Sequence, residues 1–298
     1  MTKSVQSLCL FSALLLSLTT VSAQSRQSLY SFPLGIQAYT YRNSFPKNVV
    51  ATLDTIKALG FTELEGGVPK GLTVEEYRKL LDERGIRVPS TGAGYDQIVK
   101  EPEAVIARAK ALGASFVMVA WIPHEKNNFT FANAKKAAED FDRAGKLLKE
   151  NGLTLCYHDH GFEFRPLSAF PETAGTAKKD ETLFDYIAQH TNPEYVSFEM
   201  DILWTVHGGA DPVKLLNKYG SRWKLMHLKD LKKGVTGDFS GNTPPENDVV
   251  LGTGQLDMPA VLKAAKKAGI KHYFIEDESN YVSTQVPQSI AYLKSLTD

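Results

Sequence analysis

The chain has 298 residues, and its 34 basic and 34 acidic side chains give a formal net charge of zero at pH 7. This balance argues against a nucleic-acid partner, which needs a basic face. No basic amphipathic segment predicts attachment to a membrane surface. The length suits one large α/β barrel or two ordinary domains. We therefore expect a small-molecule partner, and the sequence leaves a homo-oligomer open.

Residues 1–23 have the pattern of an export signal. A short apolar run, Leu8–Leu18, precedes the small residues Val21–Ala23, which predicts cleavage before Gln24. The apolar run is too short to span a bilayer as a helix. We therefore expect an exported protein, periplasmic or secreted, with one domain over 24–298 and no membrane insertion after cleavage.

Eight strand–helix units follow in chain order. Strands are predicted where β-branched and aromatic residues run together, and helices where apolar residues share one face and stop at a glycine. The predicted strands are Leu34–Tyr41, Phe61–Glu65, Ile86–Thr91, Ser115–Ile122, Leu153–His160, Val196–Trp204, Lys224–Asp230 and Tyr273–Glu278. The predicted helices are Asn48–Leu59, Thr73–Arg84, Pro102–Leu112, Ala132–Glu150, Leu183–His190, Pro212–Tyr219, Met258–Ala268 and Val286–Leu296.

Eight alternating units close most simply into a single (β/α)8 TIM barrel. The alternative is an open doubly wound sheet, which would need a glycine-rich phosphate loop after its first strand. The segment that follows the first predicted strand, Asn43–Lys47, contains no glycine. Two long segments, Arg165–Thr182 and Lys232–Gly254, follow strands five and seven and predict loops over a small ligand.

Polar side chains collect at the ends of the predicted strands, and in a barrel these ends converge on one face. Strand two ends in Glu65, and Trp121 and His124 lie near the end of strand four. The ends of strands five to eight carry His158, His160, Glu163, Glu199, Asp201, Trp204, His227, Lys229, Asp230, Glu276, Asp277 and Glu278.

Alternation along each strand narrows this set to the side chains that point inward. Glu199 shares the face of Asp201, and Lys229 shares the face of His227. Glu163 falls outside the alternation of strand five and would have to reach the site from the following loop. Carboxylates with one or two imidazoles suit one divalent metal ion, which the sequence leaves open among Mn, Mg, Zn, Co and Fe.

Several motifs, in this order along the chain, resemble the xylose isomerase-like barrels of the sugar phosphate isomerase/epimerase family. They are Leu34-Gly-Ile-Gln37, Tyr157-His-Asp-His-Gly-Phe-Glu-Phe164, Met200-Asp201, Met226-His-Leu-Lys-Asp230, Leu251-Gly-Thr-Gly254 and Phe274-Ile-Glu-Asp-Glu278. The group includes ketose 3-epimerases and inosose dehydratase. The resemblance covers the whole mature chain and is specific for the superfamily, not for a substrate.

The resemblance implies one metal ion held by an acid on strand five and by Asp201, His227 and Glu276 on strands six to eight. Strand five departs from the epimerase pattern, because His158 stands where those enzymes carry Glu. We expect Glu163 as the fourth ligand, with His158 as the substitute. Trp204 also departs from the pattern, since it replaces a substrate-binding His.

These parts predict a mechanism in which Glu163 and Glu276 act as an opposed pair of proton-transferring carboxylates. His160 or His158 is the alternative acid, and Lys229 is placed to stabilise an oxyanion.

Substrate contacts are expected from Trp121 and Trp204, which would stack on a sugar ring, and from Glu65, His158 and Lys229.

The leading hypothesis is a metal-dependent isomerase or epimerase that acts on a sugar or keto-sugar through an enediolate. Export favours an unphosphorylated substrate, since sugar phosphates are largely cytosolic. The alternative within enzymes is a lyase or hydratase that acts on a keto-sugar or 3-keto-glycoside through the same enolate. The alternative from another class is a noncatalytic sugar-binding protein.

Overall fold

The computed structural model describes residues 28–297, in which eight parallel strands form a nearly closed barrel surrounded by helices. The predicted signal at 1–23 lies outside these residues. The strands are β1 Leu34–Gln37, β2 Glu63–Glu65, β3 Ser90–Gly92, β4 Phe116–Val119, β5 Thr154–His158, β6 Val196–Asp201, β7 Trp223–Leu228 and β8 His272–Ile275. The predicted TIM barrel is confirmed.

Neighbouring strands pair in the order β2-β1-β8-β7-β6-β5-β4-β3. The seam between β2 and β3 is joined by a bridge between Glu63 and Arg87 and by a 2.8 Å hydrogen bond from the Leu64 amide to the Arg87 carbonyl. The strands are short, so the chain leaves the barrel soon after each inward-facing residue. This places polar side chains directly at its C-terminal end.

The helices are α1 Val49–Ala58, α2 Val74–Asp82, α3 Tyr95–Lys100, α4 Pro102–Leu112, α5 Phe131–Glu150, α6 Leu183–Gln189, α7 Ile202–His207, α8 Pro212–Tyr219, α9 Met258–Ala268 and α10 Val282–Ser295. The predicted capping box at the start of α2 is present, with the Thr73 side chain accepting from the Glu76 amide. Between residues 28 and 297, no helix is long and apolar enough to cross a membrane.

Most predicted strands are longer than the observed ones, and the first and the sixth end where a side chain caps a helical turn. The Gln37 side chain accepts from the Tyr39 amide at 2.7 Å, and a 3-10 turn replaces the rest of the first predicted strand. Asp201 Oδ1 accepts from the amides of Leu203 and Trp204 at 2.9 and 3.0 Å, so α7 begins where the sixth strand was predicted to continue. The short helix α3 was not predicted.

The predicted alternation of inward and outward side chains is confirmed. Cys156, Leu225 and Phe274 pack together inside the barrel, two positions before His158, His227 and Glu276 on their strands. The neighbouring residue Tyr157 points outward and contacts the ring of Phe141 on α5 at 5.2 Å. The barrel interior is therefore filled with apolar side chains below a polar upper layer.

The last residues of the loop between β7 and α9 are hydrogen-bonded to its beginning. The Asp230 carboxylate accepts hydrogen bonds from the amides of Gly252, Gly254 and Leu256 at 2.9 to 3.2 Å. Farther out, the Lys232 amide donates to the Asn247 carbonyl at 2.8 Å. Both ends of the loop are thereby held by backbone hydrogen bonds. The Asp230 side chain therefore binds the loop backbone and does not point toward the inward-facing side chains.

Replacing Phe184 by Ala is expected to lower the free energy of unfolding by about 3 to 5 kcal/mol. The side chain is fully buried, and its ring is stacked on Trp223 at 5.4 Å. Urea denaturation of the metal-free protein measures this loss. Tyr281→Ala, at a side chain that is 60% exposed, is the control and should change stability by under about 0.5 kcal/mol. Equal losses would show that the aromatic stack adds nothing.

Candidate metal and catalytic site

Side chains from four neighbouring strands meet at the C-terminal end of the barrel, where barrel enzymes place their active sites. We call them the strand-end cluster: His158 on β5, Asp201 on β6, His227 on β7 and Glu276 directly after β8. All four are buried, and Glu276 is the most exposed at 8%. The structure therefore brings together three of the four predicted ligands, together with the substitute His158.

Within the strand-end cluster, Asp201 lies between the two imidazoles. Its Oδ2 atom is 3.9 Å from His158 Nε2 and 3.8 Å from His227 Nδ1. His227 Nδ1 is also 3.2 Å from Glu276 Oε2. One nitrogen of each imidazole and one oxygen of each carboxylate thus face a common space.

The residues of the strand-end cluster fit a divalent metal ion. Asp201 Oδ1 is occupied by the α7 cap, while Oδ2 is buried and has no hydrogen-bond partner. An unpartnered carboxylate oxygen is costly to bury, and a cation between the two imidazoles would satisfy it. Two nitrogen and two oxygen donors suit several transition metals and do not select one.

Lys229 adds a positive charge beside the strand-end cluster. Its Nζ atom is 3.0 Å from Glu276 Oε2 and 3.6 Å from Asp201 Oδ2, and it also contacts Glu278. Burial alone would lower the pKa of Lys229, but these carboxylates outweigh it and hold that pKa well above its usual range. The contact between Lys229 and Glu276 also affects the pKa of Glu276. Burial would raise its pKa, but Lys229 and His227 hold it well below its ordinary value.

The sequence predicts that Glu163 is the fourth metal ligand. In this structure Glu163 does not reach the strand-end cluster, so its position differs from that expectation. Gly161 adopts φ 95° and turns the chain into a short 3-10 helix. Glu163 Oε1 then accepts from the Tyr157 hydroxyl and the His160 amide, both at 2.8 Å. Because Tyr157 faces the helices, Glu163 lies on the outer side of β5, and His158 occupies the position beside Asp201.

The stability of the protein is expected to fall with rising pH because of Glu163. Burial raises the pKa of Glu163 to about 7 from 4.5. Between these pH values the folded chain keeps a proton that the unfolded chain has released, so stability is lost as pH rises through this window. From pH 5 to pH 8, Glu163→Gln should therefore gain up to about 3 kcal/mol of stability relative to the wild type.

Thermal or urea unfolding of the metal-free proteins at several pH values measures this difference. Glu172→Gln, at an exposed position in the same loop region, is the control and should follow the wild-type curve at every pH. A pH-independent difference between Glu163→Gln and the wild type would contradict the prediction.

Aromatic rings form a wall beside the strand-end cluster. His160 stacks on Trp204 with ring centroids 4.8 Å apart, and Trp121 meets the edge of His160 at 5.4 Å. Trp204 is buried, whereas Trp121 is 42% exposed at the rim. Trp204 Nε1 and His160 Nδ1 are buried without hydrogen-bond partners, so both are free to contact a ligand. Burial lowers the pKa of His160 to about 4, which leaves its imidazole neutral at pH 7.

Glu65 lies below the strand-end cluster and not in the open part of the site. It is fully buried, and its Oε2 atom is 2.6 Å from His227 Nε2. Glu199 lies beside it and is also fully buried. Alternation along β6 had placed Glu199 on the inner face but gave it no role, and the motif Leu34–Gln37 included Gln37 without a role, although Gln37 donates to Glu65 at 3.3 Å.

A cavity of about 190 Å³ opens beside Lys229. Trp204, Tyr39, Glu278 and the loop residue Pro244 also line it. A larger cavity of about 590 Å³ lies between α1 and α10 and contains no residue of the strand-end cluster. The smaller cavity is not lined by that cluster either, but it is lined by Lys229, whose ammonium group contacts Asp201 and Glu276, so it opens directly beside the cluster.

The model of the xylose isomerase-like TIM barrel family matches residues 53–296. The chain belongs to this family. As a xylose isomerase-like barrel, it carries its polar cluster at the strand ends, where its fold places catalytic groups.

Among curated proteins, this xylose isomerase-like barrel is similar to inosose dehydratase 2 of Bacillus cereus. The two are 33% identical over 116 residues, which cover 38% of this chain and 35% of the relative. The match thus spans about a third of that enzyme.

Two solved structures share the fold of this xylose isomerase-like barrel. The sugar phosphate isomerase/epimerase from Parabacteroides distasonis ATCC 8503 is 24% identical with a TM-score of 0.73, and the match covers 88% of this chain and 97% of that one. The IolI protein with a zinc atom is 15% identical with a TM-score of 0.65, covering 88% and 95%.

Proposed function

We propose that this chain is a divalent-metal-dependent enzyme that forms the enediolate of a sugar or keto-sugar and isomerises or epimerises it. The observation that carries the proposal is the buried, unpartnered Asp201 Oδ2 between two imidazoles, next to the Glu276–Lys229 ion pair. Such a site combines ligands for a cation with a carboxylate and an ammonium group. The IolI protein, which shares this fold, binds a zinc atom, and this supports the binding of a cation by this chain as well.

The residues that would hold the ion are His158, Asp201, His227 and Glu276, and Mn, Mg, Zn, Co and Fe all suit this set. The chemistry supplied by a bound ion is Lewis-acid stabilisation of negative charge on a sugar carbonyl oxygen. Glu163 is replaced by His158 in this proposal, because its carboxylate is held by Tyr157 on the outer side of β5.

Four side chains near the strand ends could take part in the reaction. Glu276 stays ionised beside Lys229, so it can remove a proton from the carbon next to the carbonyl. The Lys229 ammonium can donate a hydrogen bond to the oxygen on which charge develops. His160, which is stacked on Trp204, offers a neutral imidazole whose Nδ1 makes no hydrogen bond, and Trp204, which lines the cavity, offers its ring and its Nε1.

An unphosphorylated substrate is supported by the charges around the cavity. Its two basic lining residues are Arg42 and Lys229, and both are already committed. Arg42 donates to the carbonyls of Glu278 and Tyr39 at 2.6 and 3.2 Å, while Lys229 is surrounded by carboxylates. Neither is left to pair with a phosphate group.

Elimination of water from a keto-sugar or 3-keto-glycoside is the second candidate reaction. The similarity to inosose dehydratase 2 favours it, and so does the outward position of Glu163. With Glu163 turned away, the site has one carboxylate base in Glu276 and an ammonium acid in Lys229 on the same side. These groups can remove a proton and protonate a departing hydroxyl without a second opposed carboxylate.

Incubation of the zinc- or manganese-loaded protein with keto-sugars in deuterated water tests both reactions. Deuterium at the carbon beside the carbonyl, together with an isomer or epimer in the NMR spectrum, supports the first proposal. An unsaturated product that absorbs in the ultraviolet supports elimination. If neither appears while the sugar still binds, the chain is a noncatalytic sugar-binding protein and the enzyme proposal fails.

Export to the periplasm or the medium also remains a proposal, based on the pattern of residues 1–23. N-terminal sequencing of the protein recovered from a cell-surface extract should begin at Gln24. Recovery of the full chain from the cytosol would contradict this proposal.

A further inference from the structure

We propose that Glu65 and Glu199 are positioning residues that hold His158 and His227 so that one nitrogen of each imidazole faces Asp201. This inference rests on the metal site of the proposed function. It gives Glu65 the role of supporting the strand-end cluster. The sequence instead predicts that Glu65 contacts the substrate.

His227 is held from below through its Nε2 atom. This nitrogen is 2.6 Å from Glu65 Oε2 and 3.3 Å from Glu199 Oε1. A separation of 2.6 Å is that of a hydrogen bond, and an imidazole that binds a metal through one nitrogen donates the N–H of its other nitrogen to such a carboxylate. The proton on Nε2 therefore leaves Nδ1 as the nitrogen that faces Asp201 and Glu276.

His158 is held in the opposite sense, through Nδ1. Glu199 Oε2 is 3.2 Å from His158 Nδ1, and His158 Nε2 faces Asp201 Oδ2 at 3.9 Å. One carboxylate, Glu199, thus contacts both rings, whose centroids are 4.6 Å apart. A hydrogen bond from an imidazole to a carboxylate fixes the orientation of the ring and raises its basicity as a metal ligand.

The position of the two glutamates argues against direct contact with a substrate. Both are fully buried, and neither lines the cavity beside Lys229 or the larger one between α1 and α10. Leu225 and Phe274 fill the barrel interior nearby. Gln37 donates to Glu65 Oε2 at 3.3 Å and so fixes this carboxylate as well.

Burying two carboxylates costs free energy, so their presence here requires an explanation. Glu65 Oε1 and Glu199 Oε1 make no hydrogen bond, although Glu199 Oε1 lies 3.3 Å from His227 Nε2 and the other oxygen of each carboxylate also contacts an imidazole. Glu65, Glu199 and His227 also offer three ligand atoms within 4.8 Å of one another. A second cation at this lower position is therefore the competing explanation, and the experiment has to separate the two.

The test measures the affinity and stoichiometry of Zn²⁺ by chelator competition with the full chain. Glu65→Gln and Glu199→Gln keep the side-chain shape and should each weaken Zn²⁺ binding about 10- to 100-fold, the range for such supporting residues. The wild type and both variants should bind one ion per chain. The metal-free Glu65→Gln and Glu199→Gln proteins should unfold close to the temperature of the metal-free wild type, because the amide keeps the size and shape of the carboxyl group.

Glu63→Gln is the matched control. Glu63 lies on the same strand and face as Glu65, is equally buried, and pairs with a histidine, His272, at 2.9 Å. His272 is outside the strand-end cluster, so this variant should bind Zn²⁺ as the wild type does. A long-range proton–nitrogen NMR spectrum of the zinc-loaded protein should show His158 protonated at Nδ1 and His227 at Nε2.

Unchanged Zn²⁺ affinity in both variants, or equal weakening in Glu63→Gln, would overturn the positioning role. Two ions per wild-type chain, with one lost in Glu65→Gln, would also overturn it, in favour of a second cation. If the wild type binds no Zn²⁺, Mn²⁺ or Co²⁺, the metal-dependent function fails together with this inference. Absence of turnover alone leaves the affinity test valid, so the two failures are distinguishable.

Discussion

Asp201→Asn is expected to lower kcat/KM at least about 10³-fold without unfolding the protein. The substitution replaces the free oxygen, Oδ2, with an amide nitrogen that cannot bind a cation. The remaining oxygen can still accept the amide hydrogen bonds of Leu203 and Trp204 that begin α7. Loss of Lewis-acid stabilisation removes several kcal/mol from the transition state, and each 1.4 kcal/mol is a factor of about ten in rate.

Steady-state kinetics with the keto-sugar that exchanges fastest, together with metal analysis of the purified protein, measures this effect. Asp257→Asn is the matched control, since Asp257 caps α9 in the same way by accepting from the Ala260 amide at 3.1 Å. The control should keep both activity and metal content. An active Asp201→Asn protein would show that the strand-end cluster is not the catalytic centre.

Glu276→Gln is expected to slow deuterium exchange at the substrate carbon by about 10² to 10⁴, the range for a positioned general base. The amide is isosteric with the carboxylate but cannot accept the proton. It also leaves Lys229 with Asp201 and Glu278 as charged partners, so the ammonium group stays balanced. His158, Asp201 and His227 remain as three ligands for the ion.

Exchange is followed by NMR in deuterated water under saturating metal, and the metal content of the variant is measured in parallel. Retained metal with lost exchange is the expected pair of results, because it separates proton removal from metal binding. Full exchange by Glu276→Gln would assign the base to another group, of which His160, the neutral imidazole stacked on Trp204, is the first candidate.

The barrel could be predicted from the sequence because each unit carries its own start and stop signals. Gly113 and Gly269 end α4 and α9 in the left-handed conformation, and apolar residues predominate in strands such as β4 and β7. Alternation along β6 and β7 then gave the correct inward faces for Asp201 and His227. These signals are local, so they need no knowledge of the rest of the fold.

Which residue of the fifth strand or its following loop lies beside Asp201 could not be predicted, because it depends on one turn. Glu163 lies three residues beyond the last predicted strand residue, His160, and its direction is set by the φ value of Gly161. A glycine allows several backbone conformations, so the sequence cannot choose among them. The boundary between β6 and α7 was predicted wrongly for a related reason. The apolar residues Ile202 to Trp204 are compatible with a strand as well as with a helix.

The loop between β7 and α9 is fixed by hydrogen bonds at both ends, so its middle can be changed without disturbing the barrel. We expect such changes to alter substrate preference. Asp230 fixes its return to the barrel, and the bond between Lys232 and Asn247 closes it farther out. Residues 233–246 can therefore be exchanged between relatives by grafting, with no metal-binding side chain included. Because Pro244 and its neighbours line the cavity, such grafts would alter which sugars fit while the proton-transfer chemistry stays on the barrel.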